Sequence, residues 1–168
     1  MKLLLFLLLS WFSLAILQAQ EVPPLLPAAT HKAATDAKVW GALIFATNDA
    51  SEAAAMPKVE VPAEFADIPQ RLKKVFPWQH HEVIGQHLQD VFREYESWVV
   101  PTKDLFLKID SKGPAVGSGM NLHLQFWRDQ QVLVKTDAVL TRDSPLFIGG
   151  PRWRGGQLFF VLVLQKVH

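Results

Sequence analysis

The sequence of 168 residues contains no cysteine. It therefore has neither a disulfide framework nor the lipid-accepting cysteine that a bacterial lipoprotein carries after its signal. An apolar core must stabilise the fold instead, and a chain of this length is long enough to bury one. We expect a single domain rather than two.

The chain also lacks an excess of charge of either sign. It has 17 lysine and arginine residues against 16 aspartate and glutamate residues, and Lys2 belongs to a segment that we predict is removed. The remaining basic residues are scattered along the sequence. Nucleic-acid binding depends on clustered Lys and Arg that neutralise phosphates, so we predict no nucleic-acid partner.

Long apolar runs are missing except at the N-terminus. There, Lys2 precedes an apolar stretch that ends at Leu17, and Ala19 offers the small residue that signal peptidase prefers. We predict a signal peptide over 1–19 and hence export, to a periplasm or out of the cell. An uncleaved anchor is the alternative, although the stretch is slightly short for a span of about 20 apolar residues. We predict no membrane span after cleavage.

The domain begins after a proline-rich segment. Residues 20–38 contain Pro23, Pro24 and Pro27 and show no apolar periodicity, which is typical of a flexible leader. We place a single β-rich domain over 39–168, with a loop over 48–63. Between Pro62 and Pro77 the apolar residues recur at spacings of three and four, which predicts one short amphipathic helix.

The pattern of the rest of the domain predicts β-strands. Met120–Trp127 alternates apolar and polar residues cleanly, and 158–164 is continuously apolar, as expected of a strand inside a sheet. Glycines flank 149–156, which we predict to be a loop. The fold class is α+β to mainly β, an antiparallel sheet or sandwich of six to seven strands. The strands are predicted at 39–47, 104–110, 120–127, 132–140, 145–148 and 157–165.

Residues 80–95 fit both a helical stripe and an alternating strand, and periodicity alone favours the helix. The segments 76–86, 145–151 and 156–162 (FPWQHHEVIGQ, PLFIGGP and GQLFFVL) resemble a loose group of uncharacterised exported bacterial proteins. That resemblance implies antiparallel β-structure and favours a strand over 81–90. It brings no activity and no functional residue with it.

No catalytic or cofactor-binding motif is present. His80, His81, His87 and His123 are the only plausible metal set. In a strand His81 and His87 lie too far apart for one ion, in a helix His80 and His87 do, and there is no HExxH. Ser118 lacks the GxSxG pattern of a nucleophile elbow. We predict no catalytic residue, no metal site and no cofactor, and keep a metal-dependent hydrolase as one alternative.

Tryptophan and arginine give the best candidate binding residues. Flat rings beside guanidinium groups suit a partner surface or a sugar. We predict binding at Trp127, Arg152, Trp153 and Arg154, with Trp153 at the tip of the 149–156 loop. The leading hypothesis is a non-enzymatic module that contacts an envelope or extracellular protein. A carbohydrate-binding module that uses the tryptophans is the alternative, with a glycan as partner.

Overall fold

The computed structural model describes residues 35–93, 95–142 and 144–165. The predicted signal peptide over 1–19, and the predicted leader up to residue 34, lie outside the described residues. The described chain forms two antiparallel sheets of four strands each, which confirms the predicted fold class. Its strands are β1 (Thr35–Thr47), β2 (His80–Phe92), β3 (Ser97–Val99), β4 (Leu105–Pro114), β5 (Met120–Arg128), β6 (Gln131–Leu140), β7 (Leu146–Trp153) and β8 (Gly156–Leu164).

The two sheets differ in how their strands are connected. One has the order β2-β1-β8-β7 and is called the β1 sheet below; the other has the order β3-β4-β5-β6 and is called the β5 sheet. In the β5 sheet, strands that are neighbours in sequence are also neighbours in space. In the β1 sheet, the first and last strands of the domain pair at the centre, so β8 lies inside the sheet as its apolar sequence predicts.

The main core lies between the two sheets. Met120, Leu122, Leu124 and Phe126 of β5 point into it and are buried, while the residues between them are partly exposed on the other face. These inward side chains pack in one cluster with residues of β1 and β8 such as Phe160. The alternation of β5 therefore reflects one face in the core and one towards solvent.

A second apolar layer covers the outer face of the β1 sheet. It is formed by a 3-10 turn (Ala63–Phe65) and a helix, α2 (Ile68–Val75), which follow a short first helix, α1 (Ala50–Ala54). Helix α2 buries Ile68 and Leu72 against the sheet, and the 3-10 turn stacks Phe65 on Trp40 with 4.4 Å between ring centroids. Strands β1 and β8 are thus buried on both faces, which is the reason for their continuous apolar sequences.

Several predicted boundaries were wrong. Strand β1 begins at Thr35, inside the predicted leader, and α1 lies within the predicted 48–63 loop. Strand β3 was not predicted, so the described residues form eight strands rather than the six or seven expected. In the ambiguous segment over 80–95, residues 80–92 form strand β2, as the resemblance favoured.

The predicted loop over 149–156 is mostly strand. Residues 149–153 belong to β7 and Gly156 begins β8, so the connection is the two-residue turn Arg154–Gly155. Both turn residues have positive φ, 45° and 73°, as in the turns that match the twist of a β-hairpin. A tight hairpin takes the place of the predicted loop, and Gly155 accepts its positive φ without strain.

Within the described ranges, none of the helices has the length and apolar character needed to cross a bilayer.

Candidate functional site

A cavity of about 660 Å³ opens between the two sheets at one end of the sandwich. Its walls come from the β1 sheet, from the start of β4 and end of β5, and from the segment after α1. This volume lies within the range of small-molecule sites, roughly 300–1,000 Å³. It is lined by Leu43, Met56, Pro57, Ile84, Thr102, Asp104, Leu105, Arg128, Asp129, Arg152, Trp153 and Leu158.

The interior of the cavity is apolar and continuous with the main core. Leu43 and Leu158 are buried core residues, and Ile84, Leu105 and Trp153 are partly buried side chains that pack against the same cluster. The cavity forms where the facing strands end and their side chains no longer interdigitate. Its floor is therefore the core itself, and an apolar ligand placed there loses contact with water.

The mouth of the cavity carries charge of both signs. Arg128 and Arg152 line it together with Asp104 and Asp129, and the Asp104 carboxylate lies 4.0 Å from the ammonium group of Lys103. Across the described part of the chain, no carboxylate lies within ion-pair distance of either arginine. Two guanidinium groups are thus available at the rim for an anionic group.

The β7–β8 hairpin brings three of the predicted binding residues together. Trp153 is half-buried and meets Phe45 edge to face, with 5.1 Å between ring centroids. The Arg154 guanidinium lies over the Trp153 ring, 4.6 Å from its centroid, and 3.9 Å from a carboxylate oxygen of Glu52. Trp153 is therefore a wall of the cavity held from both sides, rather than the exposed loop tip that we predicted.

The fourth predicted residue, Trp127, lies elsewhere. It is on the outer face of the β5 sheet, where it forms a half-buried cluster with Phe106 and Trp98. The Phe106 and Trp127 rings are nearly parallel, with 6.2 Å between centroids. Because Arg152 and Trp153 line the cavity between the sheets, the four predicted residues do not form one site.

The histidines do not form a metal centre with any residue that the structure describes. Within the described ranges, no group of three His, Asp or Glu side chains is placed to hold one ion. His81 is partly buried at the start of β2, and this burial, followed by the nearby charges of Lys73 and His80, lowers its pKa below the usual value. His123 contacts the Asp137 carboxylate at 2.7 Å on the outer face of the β5 sheet. The hydrolase alternative has no site among these residues.

Most residues of the cavity wall carry no sequence signal of a binding site. Leu43, Ile84 and Leu158 occupy strand positions that look like any core position, and Met56 follows a helix that was not predicted. Arg128 is not among the predicted binding residues. These residues form a site only because of the spacing between the two sheets. The periodicity of a single strand carries no information about that spacing.

Comparison of the chain with protein-family models, with curated proteins and with solved structures gives no significant match.

Proposed function

We propose that this protein is a non-enzymatic binding domain that holds an amphiphilic small molecule, with its apolar part between the sheets and an anionic group at the mouth. The observation that carries the proposal is the apolar cavity of about 660 Å³ with two arginines at its rim. The predicted export would place this domain in a periplasm or outside the cell. Its ligand would then be a molecule of the envelope or the surrounding medium.

The cavity wall favours an apolar ligand body. Leu43, Leu105 and Leu158 offer no hydrogen-bond donor or acceptor from their side chains, so a sugar or peptide there would leave its polar groups without partners. Each such group costs roughly 1–3 kcal/mol when buried. An aliphatic or aromatic body has no such cost and gains roughly 25 cal/mol per Å² of apolar surface removed from water.

The rim favours an anionic head group. Arg128 and Arg152 have no carboxylate within ion-pair distance among the described residues, whereas the Asp104 carboxylate lies 4.0 Å from the Lys103 ammonium group. A carboxylate, sulfonate or phosphate would accept hydrogen bonds from the guanidinium groups. The Arg154 guanidinium is already held between Trp153 and Glu52, so we assign it the role of fixing the wall.

The first test compares two fluorescent probes that share an anilinonaphthalene body and differ in one sulfonate group. Titration with 1-anilinonaphthalene-8-sulfonate is expected to give saturable binding to the wild-type protein. Hydrogen bonds to charged groups contribute about 1.5–3 kcal/mol, so the double variant Arg128→Gln/Arg152→Gln should bind this probe at least about tenfold more weakly. The uncharged analogue N-phenyl-1-naphthylamine should bind both proteins equally.

Arg142→Gln is the matched control. Arg142 lines a smaller cavity of about 320 Å³ at the opposite end of the sandwich, so its loss should leave both affinities unchanged. Absence of saturable binding of either probe to the wild type would refute the proposal. If the control variant weakens sulfonate binding as much as the double variant does, the rim has no special role.

A second candidate function rests on a different surface, the aromatic cluster on the outer face of the β5 sheet. Trp98, Phe106 and Trp127 lie side by side on strands β3, β4 and β5, and neighbouring aromatic rings on a sheet face suit stacking of sugar rings. The Trp127→Ala variant should lose retention on insoluble polysaccharide while Trp153→Ala keeps it. Equal retention of both variants, or no retention of wild type, would exclude this candidate.

A further inference from the structure

Strand β6 is an edge strand with one side open to a further strand. It is the last strand of the β5 sheet and pairs only with β5 among the described residues. It is ten residues long, and its sequence QVLVKTDAVL contains neither proline nor glycine. Short length, proline, β-bulges and charged side chains protect edge strands from pairing. Strand β6 has a register shift between Val132 and Val134, but its second half is regular and its two charged side chains, Lys135 and Asp137, have opposite signs.

At the opposite edge of the sandwich, hydrogen bonds link the two sheets. The edge strands there are β2 and β3, and the Val100 N–H, next to β3, donates to Nδ1 of His87 in β2 at 3.0 Å. The Ser97 hydroxyl oxygen accepts a hydrogen bond from the Phe92 N–H at 3.4 Å. Among the described residues, no side-chain hydrogen bond links β6 to β7, the edge strand of the other sheet. Strand β6 has ten residues and β7 has eight, so β6 is the longer of these two unlinked edges.

The charges of β6 are self-complementary. Its register with β5 places Lys135 opposite Gln125 and Asp137 opposite His123, so both charged side chains lie on the outer face. Two antiparallel copies of β6 related by a two-fold axis at Thr136 would place Lys135 of each copy opposite Asp137 of the other. Opposite charges in directly facing positions stabilise a strand pair. Lys135 has no ion-pair partner among the described residues. Asp137 contacts His123 of its own sheet at 2.7 Å, and with 82% of its side chain exposed it can also meet a facing lysine.

The core-facing side chains of β6 also fit the two-fold axis at Thr136. Val134 and Ala138 face the core and are only partly buried, since no strand covers their outer side. The two-fold axis at Thr136 pairs Val134 of each copy with Ala138 of the other, so the apolar core continues across the junction. Moving the axis by one residue places Lys135 opposite itself or Asp137 opposite itself, which is unfavourable.

We propose that β6 pairs with the β6 strand of a second copy of this chain, antiparallel and centred on Thr136, to form a homodimer with one continuous eight-stranded sheet. The occupant is a second copy rather than an unrelated strand because the charge pattern matches itself under the two-fold rotation. This inference is independent of the proposed ligand, whose cavity lies between the sheets.

A single cysteine tests the axis, because the chain contains none of its own. Facing Cα atoms in an antiparallel pair are about 4.5–5.5 Å apart, within the range of a disulfide. The Thr136→Cys variant of the full chain should therefore form a disulfide-linked dimer under mild oxidation. In the Val139→Cys variant, also exposed, the two cysteines would be about 20 Å apart along the strands, and at least about tenfold less cross-linking is expected.

Charge reversal gives a second test that does not depend on oxidation. Lys135→Asp and Asp137→Lys each place like charges opposite one another and should each weaken the dimer about tenfold or more in light scattering. A mixture of the two variants restores both opposite-charge pairs and should form a heterodimer with wild-type affinity. Monomeric wild type at all accessible concentrations, equal cross-linking of the two cysteine variants, or no recovery in the mixture would each overturn the proposal.

Discussion

Replacing Phe160 with alanine is expected to lower the free energy of unfolding by about 3–5 kcal/mol. Phe160 is fully buried in β8 and meets Phe126 of β5 edge to face, with 5.4 Å between ring centroids. Its ring therefore joins the two sheets at the centre of the core. The alanine variant loses the free energy gained by removing the ring from water. It also leaves a cavity in which the van der Waals contacts of the ring are missing. Urea denaturation followed by tryptophan fluorescence measures the change.

Phe106→Ala is the matched control because it removes the same side chain from the outer face of the β5 sheet. Phe106 is partly exposed and touches only the aromatic cluster with Trp98 and Trp127 among its ring contacts. We expect it to cost less than half as much as Phe160→Ala. Equal losses would contradict the assignment of the core to the space between the sheets and would place the outer cluster in a second core.

The strand that was easiest to predict has one buried face and one solvent-exposed face. Strand β5 alternates along its whole length because its inner residues meet the β1 sheet and its outer residues meet water. The apolar run of β8 predicted an interior strand for the same physical reason, since both of its faces are covered. In these elements the local pattern and the tertiary environment carry the same information.

Prediction failed where tertiary contacts override local pattern. Strand β3 has only three residues, too few for a period to be visible, and it exists because it pairs with β4. The segment over 149–156 is rich in glycine, yet most of it is strand. A Cβ at Gly150 would lie 2.9 Å from the Leu158 carbonyl oxygen, so a larger residue would not fit there. Glycine in β7 therefore marks a close approach of backbones rather than the predicted loop.

The candidate site was predictable only in its outer parts. Arg152 and Trp153 were found because aromatic and guanidinium groups stand out in a sequence, and both line the cavity. Trp127 was chosen by the same rule and lies on another surface. Composition identifies residues suited to binding, but which of them share a site depends on how two sheets face one another.

Filling the cavity should abolish binding of the apolar probes without unfolding the protein. Leu105 lines the cavity and is partly buried, so the larger side chain of the Leu105→Trp variant has room to extend into it. We expect affinity for both 1-anilinonaphthalene-8-sulfonate and N-phenyl-1-naphthylamine to fall at least about thirtyfold, since the apolar surface that either probe would bury is already covered. Fluorescence titration measures the loss, and thermal melting should show equal or greater stability.

Leu88→Trp separates this effect from the mere introduction of a tryptophan. Leu88 lies on β2 and is 45% exposed, away from the cavity lining, so this variant should bind both probes as wild type does. The two tests distinguish the rim from the interior of the cavity. Loss of the rim arginines lowers affinity only for the charged probe, whereas filling the interior lowers affinity for both probes. If Leu105→Trp keeps full affinity for the uncharged probe, the probes bind outside the inter-sheet cavity and the ligand must be sought on another surface.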